Sequence, residues 1–258
     1  MEAFGRPPRS GRGEQKVGYP QIRMAGLVEC GTHAVFDAAL GPLCTGEQAL
    51  ARAVLVSLRP GMMLPADRGF YGVDLWCKAA ATGADLLWRV RKDLVPPVVD
   101  QLPDGSCLTE IFDRSDIHHT RRGVPARAVE YTIAGHEGVY RLLTTILDPD
   151  RAPAAELAEL YAQRWEFEST LDGIKTHLGG SRLVLRSQHP GGAGQELYGF
   201  LLVHHAIRHL MHQAARQADH DPDRISFVRS LRVVRRQVID QAAFSPRQTH
   251  PRSQSHPR

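Results

Sequence analysis

Between Leu94 and Leu147 the chain carries strand-like runs and no helical pattern. "SCLTEIF", "ARAVEYTI" and "VYRLLTTIL" are rich in β-branched, aliphatic and aromatic residues, and Pro, Gly and Asp turns separate them. On either side of this stretch, strand-like and helical segments alternate. That contrast restricts the architecture more than any other feature: it predicts an α/β core interrupted once by a β-rich insertion.

The flanking segments read in order. Residues 1–20, rich in Gly, Pro and Arg, read as a disordered lead-in. "QIRMAGLVEC" and "THAVFDAAL" read as a strand pair joined by a tight turn at Gly31. Gly46 to Arg59 has helical apolar spacing. "GMMLPADRGF" reads as a short buried strand ending at Asp67, "YGVDLWCKAAATG" as a helix, and "ADLLWRVRK" as a strand with Leu86 and Trp88 facing away from Leu87 and Arg89. After the insertion, "DPDRAPAAELAELYAQRW" begins a helix that Gly179–Gly180 ends. "AGQELYGFLLVHHAIRHLMHQAAR" and "PDRISFVRSLRVVRRQVI" are two more helices, the second basic and amphipathic, before a polar tail. The expected organisation is a first core part at 21–93, the β-rich insertion at 94–147, core helices at 148–215, a basic helix at 216–240 and a disordered tail at 241–258.

The helix beginning near Asp148 concentrates chemistry. At about 100° per residue, Tyr161, Arg164, Glu168 and Lys175 share a sector about 60° wide. Leu160, Phe167, Leu171, Ile174 and Leu178 form the neighbouring apolar stripe, the expected buried face. Glu166 points away from both, so the geometry singles out Glu168, which borders the core. The same spacing also fits an ion-pair ladder on a solvated face.

Asp67 is a second carboxylate of interest. It ends an apolar strand next to Arg68–Gly69–Phe70, which sets it at the carboxyl edge of the sheet, where ligands bind in open α/β sheets. A cap for the following helix is the competing role. Asp67 and Glu168 together would suit hard divalent cations, Mg²⁺ or Mn²⁺. Arg164 and Lys175 on the same stripe would face phosphate oxygens.

These residues resemble a known signature. Tyr161, Arg164, Glu168 and Lys175 in "YAQRWEFESTLDGIK" match the Y-x2-R-x3-E-x6-K pattern of insertion-sequence DDE transposases, and "ADRGF" resembles the segment carrying that family's second catalytic aspartate. The resemblance extends from about Phe4 to Arg236 and implies a ribonuclease-H-like mixed sheet flanked by helices, with the β-rich insertion before the Glu helix. It further implies a two-metal site held by Asp67 and Glu168, DNA contacts by Tyr161, Arg164 and Lys175, and cleavage and strand transfer on double-stranded transposon ends and target, by a homodimer. No residue matches the family's first aspartate, on the first core strand. Glu29 and Asp37, the only carboxylates on the early strands, stand in different contexts. The expectation is therefore a chain lacking its first core strand and catalytically incomplete. The alternative is a non-catalytic DNA-binding or inhibitory remnant.

The remaining features bound the setting. No apolar run reaches membrane-spanning length, no secretory leader is visible, and Cys30, Cys44, Cys77 and Cys107 lack C-x-x-C spacing, which points to reduced thiols in the cytoplasm. The net charge of +4 is modest, but Arg224, Arg229, Arg232, Arg235, Arg236 and Arg247 crowd the C-terminal part. Such a cluster fits a polyanion, or equally a solvated basic face. His205, His209 and His212 have zinc-compatible spacing in apolar surroundings without a fourth ligand, and read as structural or ion-pairing residues. Trp76, Trp88 and Trp165 read as core, with Trp165 alone bordering the polar stripe.

Overall fold

A computed structural model of the chain describes residues 4–6, 19–113, 115–116, 118, 120, 122–132, 138–162, 170, 173–178 and 184–243. Strands β1 (Ile22–Glu29) and β2 (Ala34–Pro42) pair antiparallel as a two-stranded sheet of their own. Their turn is wider than a glycine turn at Gly31. The Glu29 carboxylate accepts hydrogen bonds from the Gly31 and Thr32 amides and the Thr32 hydroxyl, and His33 adopts φ 56° to close the loop. Helix α1 (Glu47–Val54) tightens into a 3-10 turn at Leu55–Ser57, so the expected helix to Arg59 is cut short.

Strands β3 (Met63–Ala66) and β4 (Asp85–Val90) run parallel, with helix α2 (Val73–Ala80) as their crossover. Gly83 ends the helical turn at φ +83°, where a Cβ would also approach Pro60 Cγ to 2.9 Å. The strands of the 94–147 stretch continue this same sheet. β5 (Val98–Gln101), β6 (Cys107–Ile111), β7 (Val124–Thr132) and β8 (Val139–Thr144) give the order β3-β4-β8-β7-β6-β5, with β8 antiparallel to β4. β5 is an addition to the strand-like runs read from the sequence. It is an edge strand whose four residues are all exposed, so it carries no alternation, and Pro96–Pro97 precede it.

Two cores sandwich the sheet. On one face Leu86, Trp88 and Val90 of β4 pack with Val54, Leu55, Leu75, Trp76 and Leu27; Trp76 and Trp88 meet edge-on at 5.3 Å. On the other, Leu87, Val129 and Leu142 pack with Leu157 and Tyr161 of helix α3 (Ala154–Ala162). Alternate residues of β4 therefore face opposite cores, as the strand period requires. The mixed α/β sheet flanked by helices is that of a ribonuclease-H-like domain.

Of the helix expected from Asp148 to Gly180, Ala154–Ala162 is described as α-helical (helix α3) and Gly173–Leu178 as π-helical. The 100° spacing of an α-helix therefore does not carry through to Lys175 and Leu178. Helix α4 (Pro190–Gln217) starts at a proline in its first turn and lies against β2. A 3-10 turn (Pro222–Arg224), capped by Asp221, precedes helix α5 (Phe227–Ala243), which packs on α4 through Ile207, Met211, Phe227 and Leu231. Among the described residues no helix is long and apolar enough to cross a membrane.

Candidate active site

The parallel pair β3–β4 sets the position of Asp67. It follows β3 directly, one residue past the Ala66–Trp88 pair, which puts it opposite Arg89. It shares strand parity with Met63 and, through the register, with Leu87, so it projects to the face covered by α3. The turn that follows is local: the Phe70 amide donates to the Asp67 carbonyl at 2.9 Å, and the Arg68 amide to Asp67 Oδ1 at 2.8 Å. Helix α2 begins only at Val73 with Gly72 as its cap, so Asp67 caps nothing there. Its second carboxylate oxygen accepts no hydrogen bond among the described residues, and the side chain is 39% exposed. An open carboxylate at the carboxyl end of parallel strands is a donor set a hard divalent cation fits.

Tyr161 is turned inward. It is 4% exposed, packs with Leu87, Val129 and Leu157, and its hydroxyl donates to the Ala66 carbonyl at 3.4 Å. The residue expected on the polar stripe thus belongs to the buried face, and it links α3 to the backbone immediately before Asp67. The apolar stripe expected on this helix includes Leu160, which is only half-buried, whereas Leu157 and Tyr161 form the buried i, i+4 pair. Ile174 is buried as expected. Arg164, Trp165, Phe167, Glu168 and Leu171 lie outside the described residues, as does the side chain of Lys175.

Three groups escaped the sequence reading. Arg89 Nη1 lies 4.0 Å from Asp67 Oδ1, and its guanidinium carbon lies 4.7 Å from the Tyr140 ring centre. The available signal was an arginine in an otherwise apolar strand. Arg127 on β7 is fully buried: it donates to Ser106 Oγ at 2.7 Å, to the Ala152 carbonyl at 2.8 Å and to the Asp104 carboxylate. Asp104 also accepts from the Ala154 amide at 2.9 Å, so the pair fastens the β5–β6 turn to the start of α3. Burial opposes ionisation of Asp104, yet its bonds from Ser106 and Ala154 and the charge of Arg127 leave its carboxyl below the ordinary range.

The third is His204, fully buried against the Phe227 ring at 5.0 Å, with neither ring nitrogen hydrogen-bonded among the described residues. Burial, then the charges of Arg208, His205 and His33, push it down to about 4. Its neighbour His205 instead meets the Val35 carbonyl through Nδ1 at 3.2 Å, and no three described His, Cys, Asp or Glu residues cluster to hold a metal.

The two early carboxylates accept hydrogen bonds within the fold. Glu29 closes the β1–β2 turn; burial opposes its ionisation, but hydrogen bonds from Thr32 and Gly31 hold it below the ordinary carboxylate range. Asp37 accepts from Ser57 Oγ at 2.6 Å. Arg224, Arg229, Arg232, Arg235 and Arg236 are exposed around α5, and Arg235 donates to the His177 carbonyl at 3.4 Å. Among the described residues no disulfide joins the four cysteines. Trp76 and Trp88 are core.

Comparison with known proteins gives two findings. A family model described as a transposase DDE domain matches residues 3–190. The chain is also 29% identical over 246 residues to Transposase InsG for insertion sequence element IS4 of Escherichia coli (strain K12). That alignment covers 93% of this chain and 55% of the relative, so the chain spans about half the length of the curated relative it matches.

Proposed function

The chain belongs to the transposase DDE domain family, and from that premise we propose that it acts in DNA transposition, in the cytoplasm, on the double-stranded ends and target of an insertion sequence. The observation that carries this reading is the placement of Asp67: a half-open carboxylate at the carboxyl end of a parallel strand pair, on the face where α3 packs. The family implies a divalent metal, and we assign Asp67 and Glu168 as the carboxylates that hold it, as Mg²⁺ or Mn²⁺. When bound, such a cation supplies Lewis-acid stabilisation of phosphoryl oxygens and activates a water or hydroxyl nucleophile.

The rest falls to the chain's own residues. Tyr161 holds the end of β3 against α3 through the Ala66 carbonyl, fixing the carboxylate that follows. This positional role supports its place in the site better than direct DNA contact, given its burial. Arg164 and Lys175 are assigned to the DNA backbone, where guanidinium and ammonium donors meet phosphate oxygens. In this reading residues 21–93 and 148–215 carry the site's elements, 94–147 is a β-rich insertion whose strands extend the same sheet, and a homodimer brings two DNA ends together. Glu29 and Asp37 are engaged in hydrogen bonds within the fold, to Gly31 and to Ser57, which supports a chain that is catalytically incomplete by itself.

A second reading, a DNA-binding module without catalysis, draws on the exposed arginines of α5. Both are tested with the purified chain, supercoiled plasmid and Mn²⁺. Metal binding that Asp67→Asn abolishes, without plasmid nicking, is the expected result. Nicking by the chain alone would overturn its incompleteness, and Asp67→Asn binding Mn²⁺ as tightly as the parent would remove Asp67 from the site.

A further inference from the structure

Arg89 has a conspicuous set of unused donors. It stands on β4 beside Asp67, and its side chain is 24% exposed. Its only ionic partner among the described residues is Asp67, at 4.0 Å, too far for a hydrogen bond. Its side chain donates no hydrogen bond among the described residues, whereas those of Arg127 on β7 and Arg141 on β8 each donate several. Yet its head is held in place. The guanidinium lies over the Tyr140 ring at 4.7 Å, and Tyr140 is in turn buttressed by Tyr131 at 5.5 Å across the β7–β8 pair. The register sets Asp67 and Arg89 in one row with Leu142 and Val129, and the Tyr140–Tyr131 pair lies in the next row on the same, α3-covered face.

We propose that Arg89 binds a DNA backbone phosphate next to Asp67, and that the Arg89–Asp67 pair is the resting contact that a divalent cation replaces. This rests on the reading of the chain as a DNA-transposing protein. A cation on Asp67 takes over the charge that Arg89 balances in its absence. The guanidinium is then left half-buried with its five N–H donors unspent, pre-oriented by the tyrosine stack. A phosphate satisfies that planar fork bidentately, as an ammonium would not. The stack lowers the ordering cost of binding, because the side chain is already immobilised.

Two binding measurements on the full chain test this, and neither depends on turnover. The first is calorimetric titration with Mn²⁺ alone. Arg89→Gln is expected to bind Mn²⁺ several-fold more tightly than the parent, because a competing cation is gone. The second is affinity for a linear DNA duplex in Ca²⁺ across a salt series. Arg89→Gln is expected to lose about tenfold, with a salt slope lower by about one. Arg89→Lys restores the slope but only part of the affinity. Tyr140→Leu keeps the slope and weakens binding, which guards against a fold defect specific to the first variant. If the parent binds DNA while Arg89→Gln leaves slope and Mn²⁺ affinity unchanged, the inference is wrong and the wider reading survives. If the parent binds neither DNA nor Mn²⁺, both fall together.

Discussion

Arg127 shows what a single residue contributes to this fold. It carries a charge at full burial, which is tolerable only because Ser106, Asp104 and the carbonyls of Asp148 and Ala152 meet its donors. Replacing it with methionine leaves the Asp104 carboxylate without its counter-charge in a mostly buried setting. Arg127→Met should therefore cost about 3 kcal/mol in urea unfolding. The loss should be smaller in an Asp104→Asn background, where no buried charge is orphaned; equal losses in both backgrounds would refute a coupled pair. The sequence announced the turn, through Asp104–Gly105–Ser106, but not the arginine's destination. Burial of a charge depends on partners far apart in the chain, here 21 to 25 residues away, and no local pattern reports that. Asp67 was legible for the opposite reason: its place follows from strand ending and turn chemistry, both local.

At the scale of elements, the junction of α4 with the β1–β2 hairpin and α5 carries a pH dependence. His204 sits there fully buried, with His33 from the hairpin, Arg208 and His205 from its own helix, and Phe227 from α5 around it; His33 also pairs with Asp223 at 2.9 Å. Its folded pKa, about 4, lies below the ordinary value, so the folded state keeps it neutral while the unfolded chain takes up a proton. Its contribution is thus fully present above about pH 6.5 and is lost as pH falls toward about 4, on the order of 3 kcal/mol in all. Urea unfolding at pH 7.5, 6 and 5 should show that loss in the parent and a flatter profile in His204→Phe. An identical pH slope in both would place the acid sensitivity elsewhere. Asp104 adds a separate loss at lower pH, since its depressed carboxyl protonates only below the ordinary carboxylate range. Elements with strong periodicity were legible: β1, β2, β4 and α2 follow from alternation or helical spacing. β5 was not, because an exposed edge strand has no buried face to write into sequence, and the π-helical segment was not, because nothing in "GIKTHL" departs from helical composition.

At the scale of the whole molecule, two separate places among the described residues hold the arginines that this reading gives to DNA. One is Arg89 at the carboxyl end of the parallel pair; the other is α5, which packs on α4 and borders the π-helical segment through Arg235 and the His177 carbonyl. Arg229, Arg232 and Arg236 recur at i, i+3 and i+7 and are exposed, so they share one face of α5, opposite the buried Phe227 and Leu231. Composition alone left that face open to two meanings, solvated surface or phosphate track, and the fold narrows the matter by showing that nothing in the described residues covers it. A track along DNA makes a quantitative demand. Arg232→Gln with Arg236→Gln should lower the salt slope of duplex binding by about two and weaken affinity without regard to sequence. A solvated face predicts an unchanged slope, and that result would sink the idea. Because α5 and the β3–β4 end belong to different cores among the described residues, their losses in log affinity should add when the pair is combined with Arg89→Gln. A shortfall from additivity would mean that one bound phosphate path runs through both sites, whereas full additivity would mark them as independent footholds on the DNA.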